Sequence, residues 1–426
     1  MTIEFSFSKK HIEMREAIRG LAKNVIRPQA LAWDREGGIP EPFLRNMARL
    51  ATSMGSNAMT AGLGDASDGA TLDVATDGDR SDRSDRSDRN KKAGGNLFSV
   101  LAAEELSWGD PGLLLCLPGP GLGGPPVRAS GTPEQKKRFF SIFEGIYDDD
   151  TPLRWGAYGL TEPAAGSDVA GIRTTCRKDG RHWVLNGRKC YITNGARASW
   201  TVIFATIDPS LGRAGHRAFV VEKDTPGFSV GRIEEKMGLR ASETAELVLE
   251  DCRVPEENLL GGEERYVSKE GFMTAMKTFD NTRPLVGAMA LGIGRAAYEY
   301  TCDFVKKHYV LSRPIPRYAA IAERLARVGR SLEAARTLTW RAAWMADAGE
   351  PNAKEASMSK AMAGQAAIRA CIESIEICGA EGSIAKDHQL LEKWFRDIKV
   401  YDIFEGTGQI QRIVIAKRLI SDLKAF

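Results

Sequence analysis

The hydrophobic period of this chain changes twice, and that switch limits what it can fold into. Met14, Ile18, Leu21 and Val25 recur at helical spacing, and Pro28 is expected to close the pattern. A second helical stretch holds Phe43, Leu44, Met47 and Leu50, and a third runs from Leu97 to Trp108 with Ala102, Ala103 and Leu106 on one side. From about residue 155 the period drops to two. Strands are expected at 174–177 and 182–185, flanking the turn-forming pair Asp179-Gly180. Asn186-Gly187 reads as a second turn, into a strand at 189–192, and further strands are expected at 201–207, 217–222 and 246–249. Beyond about Val267 the helical period returns, with segments starting near Gly271, Ile315, Ala353, Gln389 and Thr407. This is an α+β plan: an N-terminal helical domain (1–154), a central antiparallel β-domain (155–265) and a C-terminal four-helix-bundle-like domain (266–426).

With 43% hydrophobic and 27% charged residues, the chain has apolar material for a large core. A net charge of +3 gives no reason to expect a nucleic-acid partner. The seven cysteines are scattered, with no C-x-x-C pair, which suits reduced thiols and a cytoplasmic setting and calls for no metal. Met1-Thr2-Ile3-Glu4-Phe5 does not open a signal peptide, and no apolar run is long enough to span a bilayer. Segment 62–95 stands apart. It is rich in Gly, Asp and Ser and repeats Ser-Asp-Arg three times from Ser81 to Arg89. Such a segment buries too little surface to offset its ordering entropy, so it is expected to be a solvated insertion, the alternative being a docking loop.

Three short runs carry the chemistry. Tyr158-Gly-Leu-Thr-Glu-Pro-Ala-Ala-Gly-Ser-Asp168 starts on a strand and ends in a small-residue loop. There, backbone N–H groups and the Ser167 hydroxyl can approach a flat or phosphorylated ligand. In Tyr191-Ile-Thr-Asn-Gly195 an aromatic residue and a hydroxyl two positions on can stack on a ring and bond its edge. In Tyr401-Asp-Ile-Phe-Glu-Gly-Thr-Gly-Gln409 a lone carboxylate, Glu405, sits between Phe404 and Gly406, and Thr407 is a candidate N-cap. Apolar surroundings favour the neutral acid, which suits a base working near pH 7. Taken singly, each run also fits an ordinary turn, strand end or capping residue.

In order and spacing these runs resemble the acyl-CoA dehydrogenase family. So do Phe279-Asp-Asn-Thr-Arg-Pro284, Met237-Gly-Leu-Arg240, Asp251-Cys-Arg-Val-Pro255 and the stretch from Glu405 to Gln411. The resemblance covers the chain outside 62–95. It implies a soluble oxidoreductase of fatty acid metabolism that converts an acyl-CoA to its trans-2-enoyl-CoA. FAD would lie between the β-domain and the C-terminal helices. Tyr158, Leu160, Thr161, Gly166 and Ser167 match its first binding run, Tyr191, Ile192 and Thr193 the second, and Thr407 and Gln409 the contacts after the catalytic Glu. Ser167, Asp280, Asn281, Thr282, Arg283 and Gly406 match substrate-binding positions, with Arg283 suited to the CoA portion. Glu405 matches the base. Some members place the base on the helix carrying the Asp280–Arg283 run, but Thr282 stands at that position here. By the same resemblance, Glu405 takes the α-proton, the β-hydride passes to the flavin, and the electrons go on to an electron-transfer flavoprotein.

The sequence departs from the family pattern in three places. An R-x-x-F-G motif lends an Arg to the neighbouring subunit's flavin; here the chain reads His308-Tyr-Val-Leu-Ser312, with Arg313 and Arg317 as nearby substitutes. A Q-x-x-G-G turn is replaced by Glu376-Ile-Cys-Gly-Ala380. Pro118-Gly-Pro-Gly-Leu-Gly-Gly-Pro-Pro126 stands where the family has a helix lining the acyl pocket, and its breakers predict a remodelled wall. These departures leave a homotetramer or a heteromer with a related subunit open. The alternatives in function are a flavin-poor partner subunit, an acyl-CoA oxidase and a carrier-protein-linked dehydrogenase.

Overall fold

The computed structural model of the chain describes residues 7–53, 95–267, 279–308, 316–384 and 389–423. The insertion up to residue 94, the expected helix start at Gly271 and the Tyr309–Arg313 positions lie outside the described residues.

Helix α1 (Lys9–Leu21) starts at Ser8, whose hydroxyl accepts the His11 N–H. Pro28 does not end the helical path as the sequence suggests. The chain passes through a wide turn, Ala22–Ile26, and a 3-10 turn, Arg27–Gln29, in which Pro28 occupies an early position that needs no donor. Helix α2 (Ala30–Glu36) then closes at Gly37, which takes φ 72°. Helices α3 (Glu41–Ser53) and α4 (Gly95–Gly109) follow, and α4 is buried all round from Ser99 onward. Buried on every side, α4 belongs at the centre of a core. That core contains Ile18, Leu44 and Leu106 together with Val286, Leu332, Ala367 and Trp394, so the N-terminal and C-terminal helices share one interior.

The glycine- and proline-rich run does make a helix, α5 (Gly124–Ser130), preceded by a 3-10 turn, Gly121–Gly123. The breaker argument fails because Pro125 and Pro126 lie in the first turn, where the missing N–H groups would have no partner anyway. The glycines serve close approach instead. A Cβ at Gly123 would overlap the Trp200 ring and the Ala157 carbonyl, and one at Gly121 would lie 2.7 Å from the Gly156 carbonyl oxygen. Helix α6 (Pro133–Ser141) opens on a capping box between Thr132 and Gln135.

The sheet has seven strands: β1 (Gly156–Gly159), β2 (Thr175–Asp179), β3 (His182–Thr193), β4 (Trp200–Thr206), β5 (His216–Glu222), β6 (Phe228–Ile233) and β7 (Thr244–Pro255). Their order is β1-β4-β2-β3-β7-β6, with β5 also on β4. The expected antiparallel sheet is in fact mixed, because β1 and β2 both pair with β4 in parallel. Asp179-Gly180 does make the β2–β3 hairpin. Asn186-Gly187 is not a turn. Both residues stay within β3, and the register against β7 shifts between Leu185 and Gly187. Gly187 adopts φ 152°, and a Cβ there would collide with Thr174. Strand β6 went unread because its side chains are almost all exposed and lack the alternation that marks a half-buried strand.

Among the described residues from 279 on there are five α-helices: α7 (Phe279–His308), α8 (Pro316–Asp347), α9 (Ala353–Cys378), α10 (Gln389–Tyr401) and α11 (Gly408–Leu423). The loop after β6 docks onto α10. A Cβ at Gly238 would collide with the Arg396 carbonyl, and the Leu239 N–H donates to Asp397 Oδ1 at 2.6 Å. Lys393 Nζ lies 2.8 Å from Asp110 Oδ2 and 2.6 Å from Asp397 Oδ2, all three side chains buried. Burial works against the Lys393 ammonium, but the two carboxylates outweigh it and hold its pKa above the ordinary lysine range. Among the described residues no helix is long and apolar enough to cross a membrane.

Removing one member of a buried ionic cluster strands the others. Lys393→Met is expected to cost about 3–5 kcal/mol. A urea titration should show the loss as a lower midpoint, and an unchanged midpoint would mean that water, not Lys393, solvates Asp110 and Asp397.

Candidate active site

Strand β1 delivers Tyr158 and ends at Gly159, after which Glu162 turns inward. Its carboxylate accepts the N–H groups of Arg173 at 2.6 Å and Thr174 at 2.9 Å, and Lys189 Nζ at 2.6 Å. Lys189 also donates to the Leu160 carbonyl at 3.1 Å, and the Cys190 N–H donates to the Thr161 carbonyl at 3.0 Å. Burial pushes Glu162 upward, but Lys189 and these hydrogen bonds bring it below the usual carboxylate range. Burial in turn lowers Lys189 to about 8 despite its partner. Sequence reading missed this pair. The available signal was a lysine in a strand otherwise rich in core residues. The pair holds Leu160 buried and Thr161 half-buried, while Gly166 and Ser167 lie exposed beyond, with open space around Gly166.

Two residues beyond Lys189 in β3, Tyr191 has φ 59° and is 65% exposed. Ile192 is buried beneath it and Thr193 is half-buried. A large residue at positive φ is held there by its surroundings. The next residue, Asn194, also has positive φ, donates to the Leu115 carbonyl at 2.9 Å and accepts from Arg197. Ile192 and Ile233 are both in register with Ala245, and Ile233, like Tyr191, is exposed.

The Glu405 loop links α10 to α11. Thr407 Oγ1 accepts the Ile410 N–H at 3.3 Å, as an N-cap should, and Gln409 is exposed in the first turn of α11. Glu405 and Gly406 have φ 57° and 88° in succession. Gln411, itself fully buried, donates from Nε2 to the carbonyls of Glu405 at 3.1 Å and Gly406 at 3.0 Å. Lys360 Nζ, from α9, donates to the same Gly406 carbonyl at 2.8 Å. Thr282 Oγ1 donates to Glu405 Oε2 at 3.1 Å. Burial pushes the Glu405 carboxyl above its ordinary range, against the lowering effects of Thr282, Arg283 and Lys360. Tyr158 is pushed well above the usual phenol range by burial and then by the charge of Glu405. Strand β1 and the α10–α11 loop therefore face each other.

The structure thus brings Tyr158, Thr282, Arg283, Gly406 and Glu405 together. Arg283 Nη1 lies 3.5 Å from Ser357 Oγ. Asp280 and Asn281 are in the first turn of α7, and their side chains lie outside the described residues. Ser167 is in the loop after β1, and Tyr191 and Thr193 are at the end of β3, with no contact to Glu405 among the described residues. Sequence reading missed Lys360 and Gln411. The signal for Lys360 was a lone cation in a helix of small residues, Ala356 to Ala367. A cavity of about 660 Å³ lies elsewhere, between α1, α4, α7 and α8, and is lined by Arg19, Glu104, Glu105, Arg295 and Arg336. Within it, Arg295 and Arg336 are each 2.9 Å from Glu104.

Comparison with known proteins bears on this geometry. Residues 157–252 match the acyl-CoA dehydrogenase middle-domain model and residues 269–420 the C-terminal-domain model. Cyclohexane-1-carbonyl-CoA dehydrogenase of Syntrophus aciditrophicus is 43% identical over 262 residues, 62% of this chain and 66% of that protein. A probable acyl-CoA dehydrogenase of Mycobacterium tuberculosis is 33% identical over 419 residues, 98% of this chain and 97% of that one. The solved structure of butyryl-CoA dehydrogenase from Megasphaera elsdenii superposes with a TM-score of 0.78 at 30% identity, covering 98% of this chain and 100% of that chain.

Thr282→Val removes the hydrogen bond to Glu405 and keeps the volume. The acidic form of Glu405 should persist to higher pH, with a midpoint raised by about half to one unit. Infrared difference spectra against Glu405→Gln would follow its carboxyl band, and an unmoved midpoint would show that Thr282 does not hold the carboxylate.

Proposed function

The chain belongs to the acyl-CoA dehydrogenase family, and we propose that Glu405 is the base with which it takes the α-proton of an acyl-CoA thioester. Members of the family are FAD-dependent flavoproteins. The observation that carries the reading is the environment of Glu405: half-buried, bonded to Thr282, facing Tyr158, and shifted toward neutrality. A base must be ionised to accept a proton yet basic enough to hold it, and a carboxyl raised by burial meets both needs near pH 7.

The residues present fit the cofactor. An exposed tyrosine ring, with the Thr193 hydroxyl two positions on, suits a flat ring system. The exposed Gly166–Ser167 loop suits phosphate, and Thr407 and Gln409 stand at the start of α11. Tyr158, Leu160, Thr161, Gly166, Ser167, Tyr191, Ile192, Thr193, Thr407 and Gln409 would hold FAD. When bound, FAD supplies the acceptor for the hydride leaving the β-carbon. The chain's own part is to position the thioester and move the α-proton. Arg283 binds the CoA portion, with Ser167, Asp280, Asn281, Thr282 and Gly406 as further substrate contacts. The Glu405 N–H stabilises the developing enolate oxygen, and the Glu405 carboxylate receives the proton. The product is the trans-2-enoyl-CoA, and the electrons pass to an electron-transfer flavoprotein. Oxygen consumption matched to enoyl-CoA formation would identify an oxidase instead. The division at 154/155 and 265/266 is proposed on the sheet's extent, Gly156 to Pro255, between helical parts.

The assembly reading rests on His308 and Glu376. Glu376 stands where the family has a Gln, and its carboxylate pairs with Arg324. We place the active sites of a heteromer at an interface with a related subunit that supplies the missing Arg. A diphosphate without its Arg loses a contact of about 1.5–3 kcal/mol. Expressed alone, the chain should bind flavin weakly and gain yellow colour on co-expression with that subunit. One FAD per chain in a stable homotetramer would exclude the heteromer and assign the clamp to Arg313 or Arg317.

Glu405→Gln keeps the side-chain volume and removes basicity. Bleaching of the flavin by substrate should slow by about a hundredfold or more, with flavin content little changed. In the native enzyme the acid limb of the rate profile should lie above the ordinary carboxylate range, since protonation of a raised carboxyl removes the base as pH falls. Near wild-type bleaching in the Gln variant would refute the assignment.

A further inference from the structure

Lys360 has no part in the chemistry assigned so far, yet its side chain is fully buried with no anionic partner in contact among the described residues, which is rare for a lysine. Its ammonium donates to the Gly406 carbonyl, a neutral acceptor, at 2.8 Å. The groups facing it come from every element packed there. Arg283 comes from α7, and Asp402 and Glu405 from the loop after α10, while Thr282 of α7 and Tyr158 of β1 face Glu405. Gln365, on its own helix, donates to Asp402 Oδ2 at 3.2 Å, and Arg412 of α11 lies beyond Gly408. Burial lowers Lys360 to about 8 while Asp402 and Glu405 raise it and Arg283 opposes them, so it is charged at neutral pH.

Two features of the base need such a group. First, Glu405 and Gly406 are both at positive φ, a conformation that costs Glu405 energy and must be fixed from outside. The fixing contacts are Gln411 on both carbonyls and Lys360 on the second. Second, burial alone would drive Glu405 toward the neutral acid, in which form it cannot accept a proton. Two positive charges oppose that drift, Arg283 and Lys360, and the first is assigned to the substrate.

We infer that Lys360 is a positioning residue for Glu405: its hydrogen bond to the Gly406 carbonyl fixes the turn that presents the carboxylate, and its ammonium places a positive charge next to that turn. The inference rests on Glu405 being the base. Lys360 touches neither substrate nor reacting atoms in this role. It acts through the Glu405–Gly406 turn and through space.

The test uses the FAD-loaded enzyme with Lys360→Met, which removes both donor and charge, and Lys360→Gln, which keeps a donor alone. Two readouts are compared: the acid limb of substrate-driven flavin bleaching, and the Glu405 carboxyl titration in infrared difference spectra against Glu405→Gln. In Lys360→Met both midpoints should rise together by about one pH unit or more, with a slower limiting rate. In Lys360→Gln the limiting rate should recover while both midpoints stay raised. A purely structural lysine would lower the rate or the stability without moving either midpoint, and that result overturns the inference. Should Lys360→Met fail to fold, Lys360→Gln decides alone, since unmoved midpoints there remove the charge effect. Loss of the base reading is recognised separately. Glu405→Gln would then bleach at near wild-type rate, while the infrared midpoints still report whether Lys360 controls the carboxylate.

Discussion

Asp397 is the point on which three distant parts of the chain converge. Its carboxylate takes the Leu239 N–H from the loop after β6 and the ammonium of Lys393 on its own helix, and Lys393 also reaches Asp110 at the end of α4. Burying three ionised groups is costly, and only their mutual contact offsets the lost hydration. The contact therefore exists in one geometry, and that geometry sets how the sheet sits against the helices. Gly238 allows the approach, since a side chain there would strike the α10 backbone. Helix α10 runs from this anchor to Tyr401, whose hydroxyl donates to the Pro111 carbonyl at 2.8 Å. Four residues on stands Glu405. Glu405 is thus placed by a helix held at Asp397 and at Tyr401.

Period and turn chemistry were unequally legible. The switch from helical to strand period and back is a property of long segments, each with many residues voting, and the element order follows it. Turn signals rest on two or three residues and fail when packing overrules them. Asn186-Gly187 stays within a strand because Thr174 crowds Gly187 and the bulge is its only accommodation. Pro125 and Pro126 start a helix because α5 begins there and not one turn earlier. Pro28 is absorbed for the same reason. The parallel pairing of β1 with β4 could not be read at all, since pairing partners far apart in sequence leave no local mark.

At the candidate site, the residues proposed to meet a ligand stand in legible motifs, and the ones that hold them do not. Glu405, Thr407 and the Tyr158 and Tyr191 runs stand in short motifs with small neighbours, which is where ligand contacts concentrate. Lys189 and Lys360 look like surface lysines in a sequence, because lysine is almost always solvated. Their burial follows from what lies opposite: Glu162 for the first, a backbone carbonyl beside two carboxylates for the second. Neither partner is near in sequence. Lys360 and Gly406 are 46 residues apart, and Lys189 and Glu162 are 27 apart.

The two buried lysines also show how the same cost serves different ends. Each is lowered to about 8 by burial. Lys189 is matched by a carboxylate in contact, so charge and countercharge cancel locally and the Thr161 loop is simply held. Lys360 bonds to a neutral carbonyl, so its field is not cancelled at contact and extends to Glu405 and Asp402. In a medium of low effective dielectric such a field is felt over several ångströms. A carboxyl that burial would otherwise neutralise sits within it, and the balance between desolvation and this field sets how far Glu405 is ionised at a given pH.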